Sequence, residues 1–313
     1  MAFPLMFGYD HINLVACLDP VAAIRDKELG ERIAELPKLC PAGSPDFGYA
    51  VQTGKEWRVG SVGASDPAGA RHTLAAHLRE GAERERAETA RAMRAAAARL
   101  DPDEGEQLPK DEWELGDRRY RIIRVEKFTL IGGGRMEPPR PTDTDPPEAS
   151  RLLRGHLIDP RAPAGNWEAQ LRLNLVGHMP KDGSDETEVR HAIRTHAGVV
   201  LLPPCFLVVE VKGTTYEPLT GAEGPEEARA HLAGYFAEIL PRLRELQGHP
   251  PTDAELETWL DAAIDIEDST GHRFTALGRE FRTIRISRML RLGRDGPEGP
   301  RPSDQERHGQ RED

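Results

Sequence analysis

Residues 118–143 read RRYRIIRVEKFTLIGGGRMEPPRPTD, and residues 279–304 read REFRTIRISRMLRLGRDGPEGPRPSD. The two stretches align without a gap at an offset of 161 residues and are identical at ten of 26 positions. Because internal repeats constrain the whole fold, they are considered before any local pattern. The chain is therefore predicted to be internally duplicated. The identical pairs include Arg121/Arg282, Arg124/Arg285, Gly132/Gly293, Arg140/Arg301 and Asp143/Asp304.

The similarity between the two halves continues upstream, in the same order and with small changes in offset. This order predicts one repeat over residues 1–147, a second over 148–304, and a disordered polar tail over 305–313. Each repeat then has about 150 residues, a usual size for a domain. The additional matching segments are 45–57 with 204–216, 66–71 with 224–229, and two Asn-Leu-Val triplets at 13–15 and 174–176.

Each repeat is predicted to contain a short strand, a helix, a β-hairpin, two helices, a basic closing strand and a Pro-rich tail. The short strand is placed at the Asn-Leu-Val triplet. Residues 206–211 are expected to form a buried strand, because the run is short and rich in β-branched residues. The pair Pro203-Pro204 interrupts the apolar run at 199–211 and is expected to place a bend or an edge there. Small sheets with helices packed on one face define an α+β fold class.

The predicted helices carry recognisable start signals. Pro67 and Pro225 occupy first helical positions, directly after predicted N-caps. Thr252 and Glu255 have the spacing of a capping box. Besides the helices that begin at the two prolines, helices are predicted at about 20–35, 84–100, 185–196 and 253–266.

Composition narrows the class of protein. The chain has 313 residues, a formal net charge of −11 and 30% charged residues. The acidic balance argues against a dedicated nucleic-acid-binding protein. The three cysteines have no CxxC spacing, so the sequence predicts neither a disulfide framework nor a zinc site. Without a long apolar run or a signal peptide, we expect a cytoplasmic protein with no membrane partner and no cofactor.

Several strings resemble a known family. They are THAGVVLLPPCFLVVEV at 195–211, EEARAHL at 226–232, and the two endings EPPRPTDTDP and GPEGPRPSD. They are similar to an uncharacterised actinobacterial family, domain of unknown function 5954. The resemblance covers most of the chain and is strongest over about 190–304. It implies a duplicated α+β protein and supplies no reaction, ligand or catalytic residue.

One enzymatic hypothesis centres on Glu210 and Lys212, which end a predicted apolar strand. A strand ending in Glu-x-Lys resembles part of the PD-(D/E)xK nuclease signature, in which carboxylates hold a divalent metal. The chemistry also needs an upstream acidic residue, for which Asp182 and Asp185 are the near candidates. The other repeat has neutral residues at the matching positions, so an exposed strand end is the alternative interpretation. Metal-dependent hydrolysis is therefore the second hypothesis for function.

Other reactive patterns have structural explanations that we favour. Glu188 and His191 have the spacing of a bundle metal site, but a solvated helix face is the explanation we prefer. Cys205 follows two prolines and is expected to be a small buried hydrophobe. Residues 132–134 (GGG) are expected to form a turn, because prolines follow them where a phosphate loop would begin a helix.

The basic closing strands are the best binding candidates. Arg121, Arg124, Arg282 and Arg285 occur in both repeats, and alternation along a strand points Arg121 and Arg124 to opposite faces. The alternative is that these arginines have a structural role, because two repeats that adopt the same fold are expected to share the residues needed for folding. The leading hypothesis is a non-enzymatic protein that binds a protein or a small anionic partner. A cleft between the repeats would then be the default pocket.

Overall fold

An open antiparallel sheet runs through the described part of the chain and takes strands from both halves. The computed structural model describes residues 12–100, 110–147, 153–178 and 185–306. The α+β class is confirmed. The strands are β1 (Asn13–Leu14), β2 (Lys38–Pro41), β3 (Asp46–Thr53), β4 (Glu56–Ala64), β5 (Glu112–Leu115), β6 (Arg118–Gly132), β7 (Arg135–Met136), β8 (Leu157–Ile158), β9 (Pro163–Ala164), β10 (Gly198–Lys212), β11 (Thr215–Ala222), β12 (Arg273–Ala276), β13 (Arg279–Gly293) and β14 (Gly296–Pro297).

The helices lie between these strands in both halves. A π-helical segment, Tyr235–Ile239, joins α6 to α7, and a 3₁₀ turn, Ala82–Arg84, precedes α3. The helices are α1 (Pro20–Glu35), α2 (Pro67–Gly81), α3 (Ala87–Leu100), α4 (Asn166–Val176), α5 (Glu186–Thr195), α6 (Pro225–Gly234), α7 (Leu240–Leu246), α8 (Asp253–Asp268) and α9 (Pro302–Glu306).

The two repeated strands, β6 and β13, pair with each other at the centre of the sheet. The strand order through them is β11-β10-β13-β6-β3-β4-β8. Lys127 lies opposite Arg288, and these residues are themselves 161 positions apart. Glu126 lies opposite Met289, and Phe128 lies opposite Ser287. A twofold axis through the Lys127–Arg288 pair would therefore place each of these residues on the residue 161 positions away in the other strand.

The shorter strands follow the same offset. Glu112 of β5 lies opposite Arg121, and Arg273 of β12 lies opposite Arg282. The hairpins β3–β4 and β10–β11 form as predicted, with Gly54 and Gly213 at φ +61° and +63°. Such positive φ values favour glycine because it has no Cβ.

Pro203-Pro204 coincides with an irregularity in β10, where the sequence predicts a bend or an edge. The register of β10 against β13 shifts between Leu202 and Cys205, on either side of the two prolines. Proline has no N–H to donate to the neighbouring strand, so it is tolerated at such a bulge. The strand continues on both sides of the shift.

Two matching cores hold helices against the sheet. In the first half, Leu74 and Leu78 of α2 pack with Met93 of α3 and with Tyr120 and Ile122 of β6. In the second half the corresponding core joins α6 and α8 to β10, β12 and β13; its members include Phe206, Leu232, Phe236, Trp259 and Phe281. The apolar spacing seen in the sequence thus places each helix pair on the sheet.

Helices α2 and α6 begin at the predicted prolines but are capped differently. Asp66 accepts a hydrogen bond of 2.7 Å from the Gly69 N–H of α2. Gly224 has no side chain to do the same for α6. Instead, Asp145 of the first half's Pro-rich tail accepts hydrogen bonds of 2.8 Å from the N–H groups of Glu226 and Glu227.

The predicted strand at 174–176 is wrong, because these residues end α4. Leu171 and Leu175 lie one helical turn apart and pack with Leu29 of α1. Asp26 of α1 accepts hydrogen bonds from the N–H groups of Trp167 and Glu168 in the first turn of α4. Helical spacing and this cap outweigh the short likeness to 13–15, where β1 does form.

Other predicted bounds shift slightly. Helix α3 begins at Ala87, three residues after the predicted start, because the 3₁₀ turn occupies Ala82–Arg84. The predicted tail at 305–313 overlaps α9 at its first two residues, and 307–313 lie outside the described residues. Within the described ranges, no helix is both long enough and apolar enough to cross a membrane.

Candidate functional site

The arginines that both repeats share at the centre of the sheet form ion pairs that cross between the two repeated segments. Arg124 of β6 binds Asp304, with an Nε–Oδ2 distance of 2.9 Å, and both side chains are buried. Arg285 of β13 binds Asp143, with an Nε–Oδ2 distance of 3.0 Å. Each strand thus receives the aspartate that ends the other repeated segment.

Backbone contacts reinforce this exchange of tails. The Arg124 N–H donates to the Glu298 carbonyl at 3.0 Å, and the Arg285 N–H donates to the Glu137 carbonyl at 2.8 Å. The Pro-rich ending of each repeated segment therefore crosses to the central strand of the other. Arg124 is only 2% exposed and has no free surface to offer a partner.

The R-P-[ST]-D ending forms the same turn in both tails. The Asp143 carboxylate accepts a hydrogen bond of 2.8 Å from the Arg140 N–H, and Asp304 does the same for Arg301. Arg140 also binds Glu137, at 2.7 Å from Nε to Oε1. These contacts are local, buried and closed, which supports a structural role for the motif.

The outer pair of shared arginines lies near the strand ends. Arg121 binds Glu112 and Asp295, at 2.5 Å and 2.7 Å from Nη2, and its guanidinium lies over the ring of Trp57. Arg282 binds Glu280 at 2.7 Å and lies over the ring of Tyr216. All four predicted arginines therefore have carboxylate partners within the chain, and Arg282 and Arg285 also line cavities.

The largest of these cavities, the central cleft, has a volume of about 720 Å³. It lies between α1 and the first Pro-rich tail on one side and α4, β10 and β13 on the other. Its apolar wall includes Leu29, Leu171, Leu202 and Phe206, and the Pro203-Pro204 bulge also lines it. Residues from both halves of the chain therefore line the cleft.

Two arginines and a serine form a polar patch in the wall of the central cleft. Arg285 donates from Nη1 to the Ser287 hydroxyl at 2.9 Å, and Arg140 lies nearby. Burial lowers the pKa of Arg140, and the positive charge of Arg285 lowers it further. The two guanidinium groups therefore repel each other, although Glu137 and Asp143 each bind one of them.

The corresponding arginines of the other half share a carboxylate. Glu126 accepts hydrogen bonds from Arg124 at 2.7 Å and from Arg301 at 2.8 Å through the same oxygen. The residue 161 positions after Glu126 is Ser287, whose hydroxyl carries no charge. The central cleft opens where the other half places this bridging carboxylate.

A model of a known protein family matches a range of the chain that contains the ion pairs and the polar patch described above. The model of a family of unknown function, DUF5954, matches residues 19–307. The chain belongs to this family. The matched range includes both repeated segments and every residue of the polar patch in the cleft. A search of curated proteins and a search of solved structures each found no match.

The Glu210–Lys212 pair of this DUF5954 chain is engaged in ion pairs. Arg279 binds both carboxylate oxygens of Glu210, at 2.8 Å and 2.7 Å. Lys212 binds Glu217 at 2.5 Å and lies 3.5 Å from Glu210. Hydrogen bonds from Arg279 lower the pKa of Glu210, so the carboxylate stays ionised.

The carboxylates proposed as partners of Glu210 do not join it. Asp185 caps α5 by accepting hydrogen bonds from the N–H groups of Thr187 and Glu188. Asp182 lies outside the described residues. Over the described ranges, no group of three or more His, Cys, Asp and Glu side chains is arranged to hold a metal ion.

The remaining reactive candidates of the DUF5954 chain have structural surroundings. Glu188 accepts hydrogen bonds from the N–H and hydroxyl of Ser303, so it anchors the second Pro-rich tail. Burial raises the pKa of the Cys205 thiol, which disfavours the nucleophilic thiolate. Gly133 and Gly134 form the turn between β6 and β7, at φ +56° and +73°.

Sequence reasoning missed Arg140, Ser287 and Asp145 as residues that shape the cleft and its surroundings. The sequence did carry a signal for Ser287: in the alignment of the two repeated segments it matches Glu126, and the neighbouring positions hold similar residues. A charged residue exchanged for a neutral one between matched arginines marks the place where the two halves differ. Asp145 left no such signal, because its partners lie 81 and 82 positions away.

Proposed function

We propose that this chain is a non-enzymatic binding protein built from two homologous modules, and that its central cleft holds a small organic acid. Support for the duplication comes from the ten shared residues and from strand pairs that recur at an offset of 161. The central strands of the two modules pair in one sheet, so the modules form one binding unit.

The observation that supports this proposal is the polar patch in the wall of the cleft. Arg140 and Arg285 lie beside Ser287, whereas their counterparts share the Glu126 carboxylate. A ligand carboxylate placed beside Ser287 would receive the hydrogen bonds that Glu126 receives in the other half. Charge-assisted bonds from guanidinium to carboxylate are among the stronger hydrogen bonds in proteins.

The apolar part of the cleft suits the body of such a ligand. A volume of about 720 Å³ falls within the range of small-molecule pockets. Leucine, proline and phenylalanine side chains form part of the wall, beside charged residues that include Arg25, Asp26 and Glu168. The combination favours a molecule with one acidic group and an alkyl or aromatic body.

The hydrolase alternative centred on Glu210 and Lys212 has no comparable support. Both oxygens of Glu210 are bound by Arg279, which would have to release them before the carboxylate could bind a metal. A macromolecular partner stays a prediction from the sequence, because the buried Arg124 and Arg121 offer it little surface.

Thermal unfolding with octanoate tests the proposal, with octanol as a neutral ligand of the same chain length. Octanoate should raise the midpoint and octanol should not, because only the acid reaches Arg140 and Arg285. Ligand at about 100 times its dissociation constant stabilises a protein by about 2.7 kcal/mol, which shifts the midpoint by several degrees.

The variant Ser287→Glu supplies a carboxylate at the position equivalent to Glu126 and should abolish the octanoate shift. Thr258→Glu, on an exposed face of α8, adds the same charge away from the cleft and should leave the shift unchanged. Equal shifts for octanoate and octanol would contradict the proposal, as would an unchanged octanoate shift in Ser287→Glu.

A further inference from the structure

A second, smaller cavity is surrounded by arginines. It has a volume of about 240 Å³ and lies where α1, β7, β12 and β13 meet. Tyr216, His272 and several apolar side chains complete its wall. The cavity is separate from the central cleft and shares no lining residue with it. Its four arginines are Arg32, Arg135, Arg273 and Arg282.

Two carboxylates balance only part of this charge. Glu35 binds both Arg32 at 2.9 Å and Arg135 at 3.3 Å, and Glu280 binds Arg282 at 2.7 Å. Arg273 is exposed, and no carboxylate among the described residues pairs with it. The cluster therefore holds four cationic side chains against two anionic ones.

The matched region of the first half is closed by acidic residues. There Glu112 of β5 lies opposite Arg121, in the place where Arg273 of β12 lies opposite Arg282. Asp295 binds Arg121 as well, at 2.7 Å. Hydrogen bonds from Arg119 and Arg121 lower the pKa of Asp295 to about 2, so it is a firmly ionised partner.

Neither of these acids has an equivalent beside Arg282. Arg273 stands 161 positions after Glu112, and Gly134 stands 161 positions before Asp295. Arg282 keeps the aromatic neighbour that Arg121 has, with Tyr216 in place of Trp57. The same arrangement of strands is therefore neutralised internally in one half and left positive in the other.

The four arginines of the cluster line the same cavity, so their positive charges lie close together. Like charges directly opposite each other in adjacent strands are destabilising, and Arg273 and Arg282 are such a pair. Burial lowers the pKa of His272, and the charges of Arg273, Arg32 and Arg282 lower it further. An anion in the cavity would relieve this repulsion.

We propose that the cavity at Arg282 binds a small dianion of the phosphate monoester class. Its two uncompensated positive charges match a phosphate monoester, which carries about −1.5 to −2 charges at pH 7. Guanidinium groups bind phosphate oxygens in a planar, two-pronged geometry, and several of them surround one small volume here. The site does not depend on the proposed role of the central cleft.

Isothermal titration calorimetry with glycerol 3-phosphate tests this assignment, with glycerol and acetate as comparison ligands. The wild-type chain should bind glycerol 3-phosphate, bind acetate at least tenfold more weakly, and not bind glycerol. Arg273→Glu restores the acid found at Glu112 and should weaken binding of the phosphate at least 100-fold. The same variant should raise the unfolding temperature of the free protein, because the new carboxylate would turn a repulsive cross-strand pair with Arg282 into an attractive one.

A matched control separates a local site from the effect of net charge. Arg94 is exposed on α3, and Arg94→Glu makes the same charge change away from the cavity. It should keep the affinity for glycerol 3-phosphate within about twofold, because exposed charges farther apart than a Debye length are largely screened. Arg273→Gln removes one cation without adding an acid and should weaken binding about tenfold, because a charged hydrogen bond contributes about 1.5 kcal/mol or more.

Three results would overturn the site. The first is undiminished phosphate binding in both Arg273 variants. The second is an equal loss in Arg94→Glu, which would show that overall charge sets the affinity. The third is loss of phosphate binding in Ser287→Glu with binding retained in the Arg273 variants, which would place the ligand in the central cleft. Failure of octanoate to bind leaves this experiment unaffected, because different residues line the two cavities.

Discussion

Arg124 and Asp304 are 180 positions apart in the chain and form an ion pair in which both side chains are at least 95% buried. The reciprocal pair, Arg285 with Asp143, joins the same two segments in the opposite sense. Together they hold each Pro-rich tail on the central strand of the other half. The stability of the sheet therefore depends on contacts between segments that are far apart in the sequence.

Loss of the Asp304 carboxylate should destabilise the chain strongly. In Asp304→Asn, Arg124 keeps Glu126 but loses its other carboxylate, and the Arg301 N–H loses a charged acceptor; a hydrogen bond to a charged group contributes about 1.5–3 kcal/mol. Urea unfolding followed by circular dichroism measures the change in the free energy of unfolding. Glu186→Gln breaks an exposed pair with Arg190 and should cost less than about 1 kcal/mol. Equal effects of the two variants would contradict the importance assigned to the buried pair.

Asp145 should be needed for the start of α6 although it lies in the other half. Asp145→Ala removes the acceptor for two N–H groups and should cost about 0.5–2 kcal/mol, the usual range for an N-cap. Hydrogen exchange should become faster at Glu226 and Glu227. Asp66→Ala is the matched control, because it removes a cap from α2. Its effect on exchange should be confined to α2, and faster exchange in α6 would speak against a local cap.

A half-buried histidine makes stability depend on pH. Burial lowers the pKa of His77, whose ring lies 5.3 Å from that of Tyr49 and 6.2 Å from that of Tyr120. The unfolded chain takes up the proton first as pH falls below about 6.5. The contribution of His77 is therefore complete above that pH and is lost as pH falls towards the native pKa.

The measurement is the free energy of unfolding between pH 7.5 and pH 5. His77→Phe keeps an aromatic ring and removes the titration, so the loss of stability over this interval should become smaller. His191→Phe, at an exposed position on α5, should leave the pH dependence as in the wild type. An unchanged slope in His77→Phe would exclude His77 as a cause.

Two helical glycines should respond in opposite ways to alanine. A Cβ at Gly30 of α1 would lie 2.4 Å from the Trp167 indole of α4, so Gly30→Ala should separate these helices and destabilise the chain by about 1–3 kcal/mol. Nothing lies within 4 Å of a Cβ at Gly234. Gly234→Ala should therefore stabilise the chain by about 0.5–1 kcal/mol through helix propensity. Thermal unfolding measures both, and stabilisation by Gly30→Ala would refute the close helix contact.

Local signals predicted the elements that depend on nearby residues. The first helix runs over Pro20–Glu35 as expected, and the capping box at Thr252 begins α8. The hairpin turns at Gly54 and Gly213 also follow from their own sequences. In each case the deciding contacts join residues only a few positions apart.

The contacts that shape the candidate site are long-range, and local patterns do not encode them. Periodicity identifies β6 and β13 as strands, but only the fold places Lys127 opposite Arg288. The same pairing decides that Arg124 is buried while Arg282 lines a cavity. The triplet at 174–176 shows the converse error, because a likeness over three residues could not outweigh the helical packing of Leu171 and Leu175.

The exchange of tails also sets the order of events during synthesis. A chain is made from its N-terminus, and domains usually fold as they emerge from the ribosome. Here β6 is complete at Gly132 and carries both Arg124 and its partner Glu126, but the second carboxylate that binds Arg124, Asp304, is made 172 residues later. The first half therefore lacks the Asp304 carboxylate and the backbone contact to Glu298 until the second Pro-rich tail has been made. Premature release of the nascent chain would leave β6 without the tail that covers it in the complete fold, so we expect truncated chains to unfold more readily than the full one.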